Sequence, residues 1–159
     1  MFRDGGGPRW QLSSTPIGSV TCLSNFAPYP FELDGRVWPT VEHYFQAQKF
    51  PGSPYQEEIR SAAMPTKAKQ LGRSRAHPLR ADWERVKEEV MRRAVLQKFE
   101  SRAELREVLL GTGDEELVEA APRDYYWGCG ASGTGRNRLG QILMEVREAL
   151  RKGTALREP

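Results

Sequence analysis

At 159 residues the chain has the length of one domain and can bury a sizeable core of its own. Its 38% hydrophobic and 28% charged residues exclude a disordered chain, and no apolar run approaches the roughly 20 residues that span a bilayer. The net charge of +3 suits an anionic ligand but is mild and mixed in sign.

MFRDGGGPRW has no apolar stretch behind a basic one, so no secretory signal is visible and a cytoplasmic protein is expected. Two cysteines, Cys22 and Cys129, are not expected to pair in a reducing compartment. With His43 and His77 they make no metal-ligand spacing, so neither metal nor cofactor is expected. Both histidines are expected to be structural.

Residues 1–20 show little pattern and are expected to be a loose segment, with an edge strand starting near Ile17 and reaching Leu23. The folded domain is expected over 21–152 and a tail over 153–159. Ser24–Pro30 is irregular, because its prolines forbid a central strand. In PFELDGRVW, Phe31 and Leu33 alternate with Glu32 and Asp34. Asp34-Gly35 between such runs is the strongest short-range hairpin signal, since both turn positions need positive φ.

The hairpin feeds WPTVEHYFQAQKF, residues 38–50, predicted as a buried central helix with Thr40 as N-cap. Val41, Tyr44, Phe45, Ala47 and Phe50 make it apolar on most sides. Glu42, Gln46 and Lys49 stand at i, i+4 and i+7 and would share one narrow face. Lys and Glu are seldom buried without partners. The stripe is therefore either a solvated face or the lining of a pocket, and the lack of another polar face favours the pocket.

SPYQEEIRSAAM reads as a second helix, with Ser53 as cap, Pro54 at the first position and Gln56 completing a capping box. Pro65 ends it, and Thr66 restarts a short helix. A basic loop follows with Arg73, Arg75 and Arg80. Asp82 is expected to cap a long helix over about 83–99, packed through Trp83, Val86, Val90, Ala94 and Phe99. Ser101 and Glu104 suggest another capping box before AELREVLL, and Glu116–Ala120 reads as a short strand. A last helix over about 138–151 packs through Leu139, Ile142, Leu143, Val146 and Leu150. The fold class expected is α+β, mostly α, in a single domain with a small hairpin or sheet around a central buried helix.

The loop from Asp124 to Gly140 holds an acid, three aromatics, five glycines and Asn137. It is either an ordinary glycine-rich turn or a cradle for phosphate or sugar at a helix N-terminus, flanked by Arg136 and Arg138. It is no Walker or Rossmann fingerprint, which argues against phosphoryl transfer and hydride chemistry. Cys129 has no fixed base and is a poor nucleophile. A lysine beside an acid in a semi-buried pocket is the better one, because desolvation frees its amine.

The blocks SNFAPYPFELDGRVWPTVEHYFQAQKF, LRADWE, KFESRAELREVLLGTGDEELVE and the WG…NRLGQILMEVR end resemble the NADAR superfamily, in its YbiA-like branch. The likeness runs from about Ser24 to Leu150. It implies an α-rich domain and an N-glycosidase acting on ribosylaminopyrimidine phosphates of riboflavin biosynthesis, with release of ribose 5-phosphate. Other branches imply removal of ADP-ribose from guanine in nucleic acid, and a non-catalytic binder of ADP-ribose or nucleic acid is the third alternative. The resemblance places Glu42, Lys49, Asp124, Trp127 and Asn137 at motif positions.

On that chemistry, Lys49 would attack C1 and hold the sugar as a Schiff base, Glu42 would shuttle the proton, and Asp124 would assist ring opening or position water. Direct displacement by a carboxylate pair is the alternative, with Lys49 binding phosphate or tuning Glu42. Phe26 and Trp127 are candidates to stack the base. Asn25, Arg73 and Asn137 are candidates for ribose and phosphate, and Gln46 and Gly128 are further substrate-binding candidates. The expected partner is a small phosphorylated ribosylamine, or a modified base in nucleic acid, with no membrane involved.

Overall fold

The computed structural model describes residues 9–12 and 21–153. In chain order they form β1 (Arg9–Gln11), a 3-10 turn (Thr21–Leu23), β2 (Phe31–Leu33), β3 (Arg36–Trp38), α1 (Val41–Ala47), α2 (Pro54–Arg60) and α3 (Pro65–Arg73). Then come α4 (Trp83–Glu100), α5 (Ala103–Gly111), β4 (Glu116–Val118) and α6 (Arg138–Arg151). The class is α+β, mostly α, as expected. Among the described residues no helix is long and apolar enough to cross a membrane. The chain's contacts divide it into two compact units, residues 25–102 and residues 1–24 with 103–159.

In the unit 25–102, Asp34 (φ 54) and Gly35 (φ 73) close the antiparallel β2–β3 hairpin in the left-handed region that such a tight turn needs. Tyr44 Oη donates to Asp34 Oδ2 at 2.7 Å and Arg93 Nη2 to Asp34 Oδ1 at 2.7 Å, which ties the turn to α1 and α4. The Trp38 indole donates to the Leu33 carbonyl at 2.8 Å and stands edge-on to Tyr44.

Thr40 caps α1 as expected, its hydroxyl accepting from His43 N. That hydroxyl also lies 2.8 Å from His43 Nδ1, while Nε2 lies 2.9 Å from the Ala62 carbonyl. A carbonyl only accepts, so Nε2 carries the hydrogen and Nδ1 takes one from Thr40. Burial holds the ring below its ordinary pKa, and His43 is structural.

All seven residues of α1 are buried, but the helix is shorter than the predicted 38–50. Trp38 belongs to β3, and Lys49 lies in the turn beyond the helix, bonded from its N–H to the Gln46 carbonyl. Pro51 explains the stop: the residue before a proline avoids the α region, and Gly52 then reverses the chain at φ 71.

Ser53 caps α2, but Gln56 Oε1 accepts from Gly52 N rather than from Ser53, one residue off a capping box. Pro65 opens α3 instead of merely ending α2. Asp82 precedes α4 without capping it, because its carboxylate pairs with Arg80. Ser101 closes α4, its hydroxyl donating to the Lys98 carbonyl at 3.1 Å.

In the other unit, β1 pairs in parallel with β4, so the stretch expected to be loose contains a strand. Thr21–Leu23 is a 3-10 turn and not the end of an edge strand. Residues 17–20 of that expected strand, the rest of the loose segment and the tail beyond Gly153 lie outside the described residues. Leu139, Ile142, Leu143 and Val146 of α6 are buried as expected, whereas Leu150 is only half-buried. Arg147 reaches under α6 to the Thr112 hydroxyl and the Glu115 carbonyl, both at 2.9 Å.

Candidate active site

Glu42 stands in the first turn of α1, where its N–H donates to the Asn25 carbonyl at 3.2 Å. Its side chain is 7% exposed. One turn on, Gln46 Nε2 donates to Glu42 Oε1 at 2.8 Å. Burial raises the Glu42 pKa; the Gln46 bond and then the charges of Lys69, Lys49 and Arg73 pull it back without cancelling the shift.

Lys49 follows the helix rather than ending it, yet the turn returns its side chain to the same neighbourhood. Its Nζ donates to the Gly72 carbonyl at 3.3 Å and lies 5.8 Å from the Phe45 ring and 5.7 Å from the Trp83 ring. Burial lowers its pKa, Glu42 resists that, and Arg73 reinforces it. Burial thus shifts the two groups in opposite directions, the carboxyl upward and the amine downward.

The turn is held in place by Arg80, whose N–H donates to the Lys49 carbonyl at 3.0 Å. Beside it opens a cleft of about 610 Å³ lined by Lys49, Gly72, Arg73, Arg75, His77 and Trp83 among others. Arg73 is the exposed last residue of α3. His77 stacks on Tyr55 with ring centroids 3.7 Å apart.

Of the other candidates in this unit, Phe26 is half-buried with Lys69 Nζ 5.7 Å from its ring. Asn25 is buried with Nδ2 against Met91 Sδ at 3.4 Å; its clear service is the carbonyl that receives the start of α1. Lys69 was not singled out in the sequence. Lys69 and Arg73 are i, i+4 on α3 and share a face, a signal that would have found it.

Asp124, Trp127, Gly128 and Asn137 lie in the other unit, and there the glycine-rich loop closes on itself. Asp124 Oδ1 accepts from Tyr126 N at 2.9 Å and Trp127 N at 2.8 Å, an aspartate bonding its own loop two and three residues on. The first N–H groups of α6 are not open to an anion, since Arg138 N donates to the Tyr126 carbonyl and Leu139 N to the Trp127 carbonyl. This corrects the expectation of a phosphate cradle at that helix end.

Asn137 sits at φ 49, Oδ1 accepts from Glu119 N and Nδ2 donates to the Leu117 carbonyl, both at 2.9 Å. Its amide copies a strand partner for β4. Gly128 likewise serves packing: a Cβ there would come within 2.9 Å of the Asp124 and Glu119 carbonyl oxygens. Trp127 is half-buried and edge-on to Tyr126.

This small α+β domain sets a buried carboxyl, Glu42, within electrostatic reach of a half-buried amine, Lys49, groups of the kind that hydrolases use. The sequence pattern of the NADAR domain matches residues 14–151, and the chain belongs to that family. It is 56% identical over 128 residues to "N-glycosidase YbiA" of Escherichia coli, covering 80% of each chain. The NMR structure of the E. coli protein YbiA superposes with a TM-score of 0.81 at 48% identity, over 96% of this chain and 88% of that one. A "Riboflavin biosynthesis protein" of Vibrio vulnificus is 44% identical over 130 residues, which are 82% of this chain but 35% of that longer protein.

Proposed function

We propose that this N-glycosidase hydrolyses the bond between ribose C1 and the exocyclic amine of a phosphorylated ribosylaminopyrimidine, releasing ribose 5-phosphate and the pyrimidine amine. The observation that carries the reading is the buried Glu42 with the half-buried Lys49 within its electrostatic reach, the two shifted in opposite directions. The riboflavin name of the Vibrio vulnificus relative supports the substrate class.

Opening of the furanose ring breaks C1–O, moves the proton of the base N–H to the ring oxygen, and leaves an imine between C1 and the base nitrogen. The uncharged Lys49 amine adds its lone pair to C1. One proton from the added lysine nitrogen and the proton on Glu42 pass to the base nitrogen, the C1–N bond to the base breaks, the pyrimidine leaves as its amine, and the new Schiff base is left protonated. The sugar is then a Schiff base on Lys49. Water adds to C1 as the Glu42 carboxylate takes its proton, the Lys49 nitrogen leaves, and the aldehyde of ribose 5-phosphate is freed.

Gln46 steadies Glu42, and Arg73 with Arg75 offers charge to the phosphate. Asp124, bound to its own loop, is given no proton to move.

The test is a two-substrate panel. Wild type should release ribose 5-phosphate from a ribosylaminopyrimidine phosphate, and Lys49→Ala should lose that activity by at least about 10³-fold, the scale of a missing nucleophile. Turnover of ADP-ribosylated guanine in DNA or RNA without turnover of the pyrimidine would transfer the assignment to nucleic acid. Binding without product on either substrate would make the domain a binder.

A further inference from the structure

Gln46 is 4% exposed, and its two amide ends are unequally served. Nε2 donates to Glu42 Oε1 at 2.8 Å, while Oε1 is a buried acceptor with no hydrogen-bond partner. Gly72 explains how the amide is held. A Cβ added there would overlap Oε1 and come within 2.7 Å of the Gln46 Cβ and Cδ, so α3 approaches α1 closely enough to fix this side chain only because residue 72 is glycine.

An amide wedged between a carboxyl and a backbone has two orientations, and they demand opposite things of the carboxyl. In the one observed, N–H donates and the carboxylate accepts. Turned over, Oε1 would accept from a protonated Glu42 and its lost partner would be restored. One side chain thus accommodates both states that a proton-shuttling acid must visit, without any movement of the helix. The charged groups facing Glu42 are Lys69 and Arg73 on α3 and Lys49 beyond α1, and all three favour the ionised form.

We propose that Gln46 is a positioning residue for Glu42, clamped by Gly72, which sets the balance between its protonated and ionised forms and touches no part of the substrate. The proposal rests on Glu42 being the proton shuttle of the N-glycosidase reaction. It replaces the expectation that Gln46 binds substrate.

The experiment uses Gln46→Met, which keeps the length of the side chain and removes donor and acceptor. Loss of a hydrogen bond to a charged group should move the Glu42 limb of the kcat/KM–pH profile to higher pH by about one unit. In the same variant kcat should fall about tenfold or more at neutral pH, with KM changed less than threefold. Carbon NMR of the Glu42 carboxyl should show the same upward shift in substrate-free protein. That readout stands even if the substrate assignment fails.

A raised KM with an unmoved profile would mean that Gln46 binds substrate, and would overturn the proposal. So would an unmoved carboxyl titration. Should Gln46→Met not fold, Gly72→Ala, which pushes the amide aside, should give the same upward shift, and a titration unchanged there contradicts the clamp.

Discussion

Burial acts on Glu42 and Lys49 from opposite sides, and the consequence for Glu42 reaches beyond catalysis. A carboxyl with a raised pKa in the folded state favours folding while it is protonated, below its unfolded value of about 4.5, and loses that contribution as pH rises through the folded value. Glu42→Gln keeps an acceptor for Gln46 Nε2 and removes the buried charge. Its Tm should therefore match wild type at pH 4 and exceed it increasingly toward pH 8, while activity falls by about 10²–10⁴-fold. Thermal unfolding at several pH values checks the first half and product release the second; a variant that loses stability as pH rises would contradict the burial argument.

Part of this site was legible in residue spacing. Glu42 and Gln46 at i, i+4 do meet, and Thr40 does cap. Lys49 comes within electrostatic reach of Glu42 by another route, because Pro51 cuts the helix short and the turn brings the amine back over Phe45 and Trp83. Asn137 was not legible. An asparagine in the left-handed region whose amide substitutes for a strand has no signature in a single sequence beyond its neighbouring glycines.

Among the elements, the β2–β3 hairpin, α2 and α6 follow from turn chemistry, capping residues and 3.6-residue periodicity. Where a boundary slipped, a competing interaction won: Asp82 took Arg80 in place of a helix N–H. The hairpin turn also carries an interaction that spacing does not reveal. Desolvation would raise the Asp34 pKa, but hydrogen bonds from Arg93 and Tyr44 and the Arg93 charge outweigh it, and the net shift is downward.

A lowered folded pKa contributes stability above the unfolded value of about 3.8, and that contribution is lost as pH falls through the folded one. Asp34→Asn tolerates the positive φ of the turn and cannot carry the charge. Its Tm should lie below wild type at pH 7, and the gap should close as pH drops toward 2. A gap that persists undiminished in acid would show that the Arg93 pair contributes nothing.

Across the molecule, the α+β class and the family were both legible, since they rest on long blocks of pattern that 56% identity to a relative repeats. What spacing misjudged was the use of the glycine-rich loop. Glycines that let a backbone approach a ligand also let it approach itself, and here Gly128 and Gly140 are filled by the chain's own carbonyls and by Asn137. The proposed chemistry accordingly rests on the short α1 and the turn after it.

The most direct measurement adds borohydride to wild-type protein during turnover of a ribosylaminopyrimidine phosphate and maps the modified peptide by mass spectrometry. A reduced pentose phosphate on Lys49, absent when substrate is omitted, is the result predicted. An adduct on another residue, or ready turnover with none at all, would contradict the lysine as the group that holds the sugar.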